Sequence, residues 1–144
     1  METKILVVDD EAAIREILQF NLENAGYDVE SASSAEEALE VLDDSHSLIL
    51  LDVMMGGMSG FKMVQVLRKE LKNDVPVIFL TAKSDPNDLL TGFSTGADDY
   101  IAKPFSIHEV LARVKAVLKR TERQEQKVEL IEAGEIRIDV QNKN

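Results

Sequence analysis

Three apolar runs in this chain each stop on a polar residue, and a fourth, shorter run stops on a lysine followed by proline. The Ile-Leu-Val-Val run at 5–8 leads into Asp9 and Asp10, and Leu-Ile-Leu-Leu at 48–51 leads into Asp52. Val-Ile-Phe-Leu at 77–80 leads into Thr81, and Tyr-Ile-Ala at 100–102 into Lys103 and Pro104. Buried parallel strands read as continuous apolar runs, and parallel α/β sheets keep their chemistry just outside the carboxyl ends of the strands. Such a sheet would gather three carboxylates, a hydroxyl and an ammonium on one rim. That set suits a divalent cation and a phosphoryl group.

Strand and helix signals alternate with short connections, which favours a parallel sheet covered on both faces. Strands are expected at 4–9, 27–32, 48–52, 77–81 and 99–102. The first helix carries Ile14, Ile17, Leu18 and Leu22 on one stripe and stops near Gly26. Ser34 and Glu37 form an S-x-x-E capping box, and Ser106 with Glu109 forms another before a helix running to about Thr121. Ser59, closing a Gly56-Gly57-Met58 loop, caps a helix with Phe61, Val64, Leu67 and Leu71 inward. Asp85-Pro86 starts a short helix ending near Gly96. The expected architecture is a flavodoxin-like, doubly wound five-stranded parallel sheet of order 2-1-3-4-5 with five helices. Residues 1–121 form this domain. Residues 122–127 read as a polar linker, and 128–131 and 135–140 as short strands opening a second domain.

Composition narrows the functions. At 144 residues the chain is long enough for a real core. No stretch approaches the roughly 20 apolar residues of a membrane span, so no membrane partner is expected and the cytoplasm is the expected home. The net charge of −11 argues against direct binding of nucleic acid, which needs clustered Lys and Arg. Absence of cysteine and the presence of only two histidines, His46 and His108, leave little for a zinc site. His46 is expected in the polar turn before the third strand and His108 in the first turn of the last helix, neither with a role in ligation or catalysis.

Hard cations such as Mg²⁺ take oxygen ligands and usually keep one or two carboxylates with water and phosphate oxygens. Asp9, Asp10 and Asp52 meet that need, because strand order 2-1-3-4-5 sets the first and third strands at the topological switch point. Asp52 stands alone at its strand end, open to in-line attack on a phosphoryl donor, which would give an acyl phosphate. Lys103 would balance charge on the transferring group, and Thr81 would hydrogen-bond one of its oxygens. The Lys103-Pro104 bond is a candidate cis peptide.

These residues carry a resemblance. Leu6-Val7-Val8-Asp9-Asp10-Glu11, Leu51-Asp52-Val53-Met54-Met55, Leu80-Thr81-Ala82 and Asp98-Asp99-Tyr100-Ile101-Ala102-Lys103-Pro104-Phe105 stand in order and at the spacing of a two-component response regulator receiver domain. The match covers essentially residues 1–121. It implies that Asp52 takes a phosphoryl group from a sensor histidine kinase. It implies that Asp10, Asp52 and the Met54 carbonyl ligate Mg²⁺, with Asp9 acting through water. Thr81 and Tyr100 would be the switch pair, and Lys103 the phosphate partner. Such a domain catalyses only its own phosphorylation and dephosphorylation.

The Asp98-to-Phe105 block, and a last helix carrying Arg113, Lys115, Lys119 and Arg120, resemble the OmpR/PhoB subfamily. The Ala133-Gly134-Glu135-Ile136 tail is similar to the first hairpin of its winged-helix DNA-binding domain. The resemblance implies a full-length transcription factor that touches DNA only through that second domain. It also implies a phosphorylation-driven homodimer through the short 86–96 helix, the last strand and the last helix. Two positions depart from the pattern: Gly56 stands where the family usually has proline, and Ser59 where it usually has aspartate. Two adjacent glycines would leave this loop loosely ordered.

Three rivals share parts of the pattern. A Mg²⁺-dependent phosphohydrolase of the haloacid-dehalogenase kind places a second aspartate two residues after its nucleophile as general acid, and here that position is Met54. A flavodoxin-type cofactor binder lacks its phosphate loop here. A free-standing receiver that docks a partner protein fits less well with the residues after Thr121.

Overall fold

The computed structural model describes residues 3–82 and 96–132, with backbone alone for 122–132. Five parallel strands, β1 (Lys4–Val8), β2 (Asp28–Ala32), β3 (His46–Asp52), β4 (Val77–Thr81) and β5 (Asp99–Ala102), lie in the order β2-β1-β3-β4-β5. That is the expected fold. The central strands are buried on both faces because their inner runs, 48–51 of β3 and 77–80 of β4, are apolar at every position: β4 is buried throughout, and β3 from Leu48 onward.

The two faces form separate cores. On one, Leu6, Val8, Ile49, Leu51, Val77 and Phe79 pack against α2 (Ala35–Val41) and α3 (Gly60–Gln65). On the other, Ile5, Val7, Leu48, Leu50, Ile78 and Leu80 pack against α1 (Ala12–Asn24) and α4 (Ile107–Glu132). Alternate strand residues thus serve opposite layers, as the two-residue period of a strand requires. The strands run parallel in register, Val8 beside Leu51, Asp52 beside Leu80 and Thr81 beside Ala102. All their carboxyl ends therefore meet at one rim.

Several helix and turn details differ from the sequence expectation. Leu18 and Leu22 of α1 are buried, but Ile17 is exposed. It sits 100° around the helix from Leu18, at the flank of the stripe. After Gln65 the helix widens into a π-turn over Val66–Glu70, where the Leu71 N–H donates to the Val66 carbonyl at 3.0 Å. The extra residue in that turn rotates Leu71 off the apolar stripe and out to solvent. The Ser34 hydroxyl accepts from the Glu37 N–H as expected, while the Glu37 carboxylate turns back to Ser33, not Ser34.

His46 is not in a surface turn. It opens β3 with its side chain buried, Nε2 2.8 Å from Glu30 Oε1 and Nδ1 accepting from the Asp43 N–H at 3.2 Å. The helix expected from Asp85 lies outside the described residues, except for its expected end near Gly96. The strand expected at 135–140 lies outside them too. The strand expected at 128–131 is replaced by helix, since α4 continues through 122–127 to Glu132. Residues 121–132 hold neither Gly nor Pro and are rich in Glu and Gln, so nothing local stops the helix.

Candidate functional site

The rim is built from four strand ends. Asp9 follows β1 and is fully buried, and Asp52 closes β3 with 4% of its surface exposed. Asp10 stands beside them and is exposed. Oxygens of all three carboxylates lie within 4.8 Å of one another. Lys103, after β5, reaches back over the rim: its Nζ is 2.9 Å from Asp9 Oδ2 and 3.6 Å from Asp52 Oδ1. The Lys103-Pro104 peptide is cis, and the Lys103 N–H donates to the Thr81 carbonyl at 2.6 Å.

Backbone geometry fixes the acids. Asp9 Oδ1 accepts from the Glu11 N–H at 2.9 Å, and its carbonyl accepts from the Arg15 guanidinium at 2.7 Å. Asp52 Oδ1 accepts from the Met54 N–H at 3.2 Å. Behind Asp52, α3 approaches so closely that a Cβ on Gly60 would fall 2.4 Å from the Asp52 carbonyl oxygen. Glycine is needed there for space.

Burial, then the neighbouring Asp9 charge, push Asp52 up to about 6, against the opposing pull of Lys103 and the Met54 N–H. Burial lowers Lys103, but its bond to Asp9 and the charges of Asp52, Asp9 and Glu11 outweigh that and raise it. The site is thus short of positive charge. Three carboxylates, one of them reluctant to ionise, offer hard oxygen donors that fit a divalent cation such as Mg²⁺, whose charge would favour the ionised form.

Thr81 is buried at the end of β4. Tyr100 is buried too, its ring 5.5 Å from that of Phe79, which in turn meets Phe61 edge-on at 5.0 Å. The tyrosine therefore already points inward. Arg113 of α4 holds Asp99 through a single guanidinium nitrogen, at 2.9 and 3.0 Å, and Glu109 at 3.2 Å. Met54, just past Asp52, is 72% exposed.

Against known proteins, the sequence model described as the response regulator receiver domain matches residues 5–115. The chain belongs to that family. The receiver domain is 49% identical over 136 residues to a "Probable transcriptional regulator ycf27" of Porphyridium aerugineum, covering 94% of this chain and 56% of that protein. It is 50% identical over 123 residues to the "Alkaline phosphatase synthesis transcriptional regulatory protein PhoP" of Bacillus subtilis (strain 168), covering 85% and 51%. The chain thus spans about half the length of the curated relatives it matches. The resemblance to OmpR/PhoB-type regulators holds. Among solved structures, a CheY-like receiver domain protein from Methanospirillum hungatei JF-1 superposes with a TM-score of 0.80 at 29% identity, over 86% of this chain and 99% of that one. The "BeF3 Activated DrrB Receiver Domain" superposes at 0.74 with 35% identity, over 83% and 99%. Receiver domains are signalling modules of two-component systems, not enzymes in the ordinary sense.

Of the residues singled out in the sequence, Asp9, Asp10, Asp52 and Lys103 converge on one rim, with Thr81 on the adjoining strand end. Tyr100 sits beneath, packed on Phe79. Two features escaped the sequence reading. The Glu30–His46 pair joins two strands far apart in sequence, and Glu36 of α2 accepts from the Met58 N–H at 3.1 Å. Glu36 stands inside an S-x-x-E pattern, where an acid is already explained by the helix start.

Proposed function

We propose that this receiver domain accepts a phosphoryl group on Asp52 from a sensor histidine kinase in the cytoplasm. The observation that carries the reading is the buried Asp52 carboxylate, 3.6 Å from Lys103 and clustered with Asp9 and Asp10. Asp10, Asp52 and the Met54 carbonyl would hold Mg²⁺ directly, with Asp9 acting through water. When bound, the cation supplies charge neutralisation on the phosphoryl oxygens.

An Asp52 oxygen forms a bond to phosphorus as the P–N bond of the donor phosphohistidine breaks. The electron pair of that bond leaves with the imidazole. Asp9 holds Lys103 at the rim, so its ammonium is placed to balance the added phosphoryl charge, roughly −1.5 to −2 by analogy with other phosphoresidues. The buried position of Asp52 limits water at the acyl phosphate.

Thr81 would move toward the phosphoryl oxygens and fix Tyr100 in the inward position that it takes here. The β4–β5 pairing supports this, because Phe79 lies opposite Tyr100 and Thr81 opposite Ala102. The face made by β5, α4 and the segment before Gly96 would then pair two protomers around a two-fold axis. In a longer parent, a DNA-binding domain after the receiver would turn that dimer into control of transcription. The relatives named as transcriptional regulators support this step.

Intact mass after incubation with acetyl phosphate and Mg²⁺ tests the reading. One phosphoryl adduct is expected, absent from Asp52→Asn and in EDTA. An adduct that persists in Asp52→Asn would overturn the assignment of Asp52.

A further inference from the structure

The loop between β3 and α3 carries the Met54 carbonyl at one end and Ser59, the cap of α3, at the other. Its base is closed where the Gly60 N–H donates to the Val53 carbonyl at 3.0 Å. Ser59 Oγ accepts from the Lys62 N–H at 3.1 Å. Between these ends lie Gly56 and Gly57, with no proline to stiffen the chain. Gly57 sits at φ +79°, a left-handed conformation that glycine takes at little cost. Such a loop has large conformational entropy to lose when it is held in one shape.

A side chain from another element reaches it. Glu36, in the first turn of α2, places Oε2 3.1 Å from the Met58 nitrogen and accepts that N–H. The same oxygen would stand 3.0 Å from a Cβ on Gly57. Glycine at 57 therefore serves twice: it supplies the φ, and it leaves the clearance through which the carboxylate reaches the loop backbone. Sequence separation makes this a tertiary contact, 22 residues across.

We propose that Glu36 is a positioning residue: its carboxylate latches the β3–α3 loop through the Met58 N–H and so sets the Met54 carbonyl at the acidic rim. The latch does the work that a rigid loop residue would otherwise do. This rests on the reading of Asp52 as phosphoacceptor with Mg²⁺ at its rim. Glu36 touches no reacting atom. The competing account of Glu36 is an acid at a helix N-terminus, interacting only with the helix dipole.

Two variants separate these accounts. Glu36→Gln keeps an acceptor oxygen and loses the charge, while Glu36→Ala loses both. Met58 amide hydrogen exchange, read by NMR in metal-free protein, reports the latch directly. Calorimetric titration with Mg²⁺ alone reports its consequence. In Glu36→Ala the Met58 amide should exchange about tenfold faster or more, and Mg²⁺ should bind about 3- to 10-fold more weakly. Glu36→Gln should stay close to wild type in both. Unchanged Met58 exchange in Glu36→Ala would overturn the latch. Equal weakening of Mg²⁺ in Glu36→Gln and Glu36→Ala would overturn it too, because charge alone would then account for the effect. Failure of the wild-type chain to bind Mg²⁺ would instead sink the reading of the rim, and Met58 exchange would still decide whether the loop is latched.

Discussion

Lys103 stands closer to Asp9 than to Asp52: its Nζ is 2.9 Å from Asp9 Oδ2 and 3.6 Å from Asp52 Oδ1. One ammonium thus serves two buried carboxylates unequally. The hydrogen bond goes to the acid with no exposed surface, and the acid proposed to react receives only the longer Coulombic contact. A short, saturated Lys–Asp52 bond would tie up the nucleophile's lone pairs. The geometry found here leaves Asp52 free to form a new bond while Lys103 stays within reach of what is added.

Removing Lys103 should therefore be felt first at Asp9. Lys103→Ala leaves a fully buried carboxylate with only the Glu11 N–H as a partner for its Oδ1. Leaving a buried charge so exposed to low dielectric costs about 1–3 kcal/mol. Urea denaturation in EDTA should show that loss, and Mg²⁺ should recover part of it by replacing the missing positive charge. Equal stability of the two proteins in EDTA would show that Lys103 is not neutralising the site.

Asp52 acts in the opposite direction. Its folded pKa, up to about 6, lies above the unfolded value of 3.8. The native state therefore binds the extra proton between those values, and stability falls as pH rises through that window. Below about pH 4 the penalty is absent, and above 6 it is complete, roughly 3 kcal/mol by the usual conversion. Asp52→Asn should be more stable than wild type at pH 7 in EDTA, by about 1–3 kcal/mol. The gap should close as the buffer is taken from pH 7 to 4. Saturating Mg²⁺ should narrow it at pH 7, since the cation stabilises only the protein that keeps the carboxylate. A variant no more stable than wild type at pH 7 would contradict the raised pKa.

Gly60→Ala probes the support behind Asp52. The added Cβ would lie 2.4 Å from the Asp52 carbonyl oxygen and 3.1 Å from Val53 Cα, both backbone atoms that cannot swing aside. Either β3 or the start of α3 must move, at a cost of about 2–4 kcal/mol. The thermal midpoint should drop, and phosphorylation by acetyl phosphate should slow because the strand end is displaced. A midpoint unchanged from wild type would mean that α3 withdraws without strain.

Four of the strand ends were legible because their strands are parallel and largely buried, so β1, β3, β4 and β5 each carry an apolar run that stops at a functional residue. The edge strand β2 reads Asp-Val-Glu-Ser-Ala and shows no such signal. Asp9, Asp10, Asp52, Thr81 and Lys103 could be read that way. What stayed hidden depends on contacts distant in sequence or on small changes in helix geometry. Glu36 looks like any acid in a first helical turn until Met58 is brought against it. His46 looks like a turn residue until Glu30 on the edge strand supplies its partner. Leu71 fits a 3.6-residue stripe, but the π-turn over Val66–Glu70 inserts a residue and turns it outward. Polar composition suggested a linker after Thr121, yet polarity without Gly or Pro is also how an exposed helix reads.

The Arg113–Asp99 pair offers the last test, and it separates stability from signalling. Arg113 is 42% exposed, and its guanidinium contacts Asp99 and Glu109 within one protomer. The Arg113 nitrogen lies 2.9 Å from Asp99 Oδ1, and that hydrogen bond raises the guanidinium above its usual value, but solvent screens the pair. Such pairs contribute about 0.2–1 kcal/mol, so Arg113→Ala should barely change urea denaturation. If the β5–α4 face becomes the dimer interface, the same guanidinium must either keep Asp99 or exchange it for an acid of the second protomer. In both cases it becomes less exposed to water and more valuable than it is in the monomer. Sedimentation of the beryllofluoride-treated protein should then show weaker self-association for Arg113→Ala than for wild type. Identical sedimentation of the two treated proteins would place any dimer interface elsewhere.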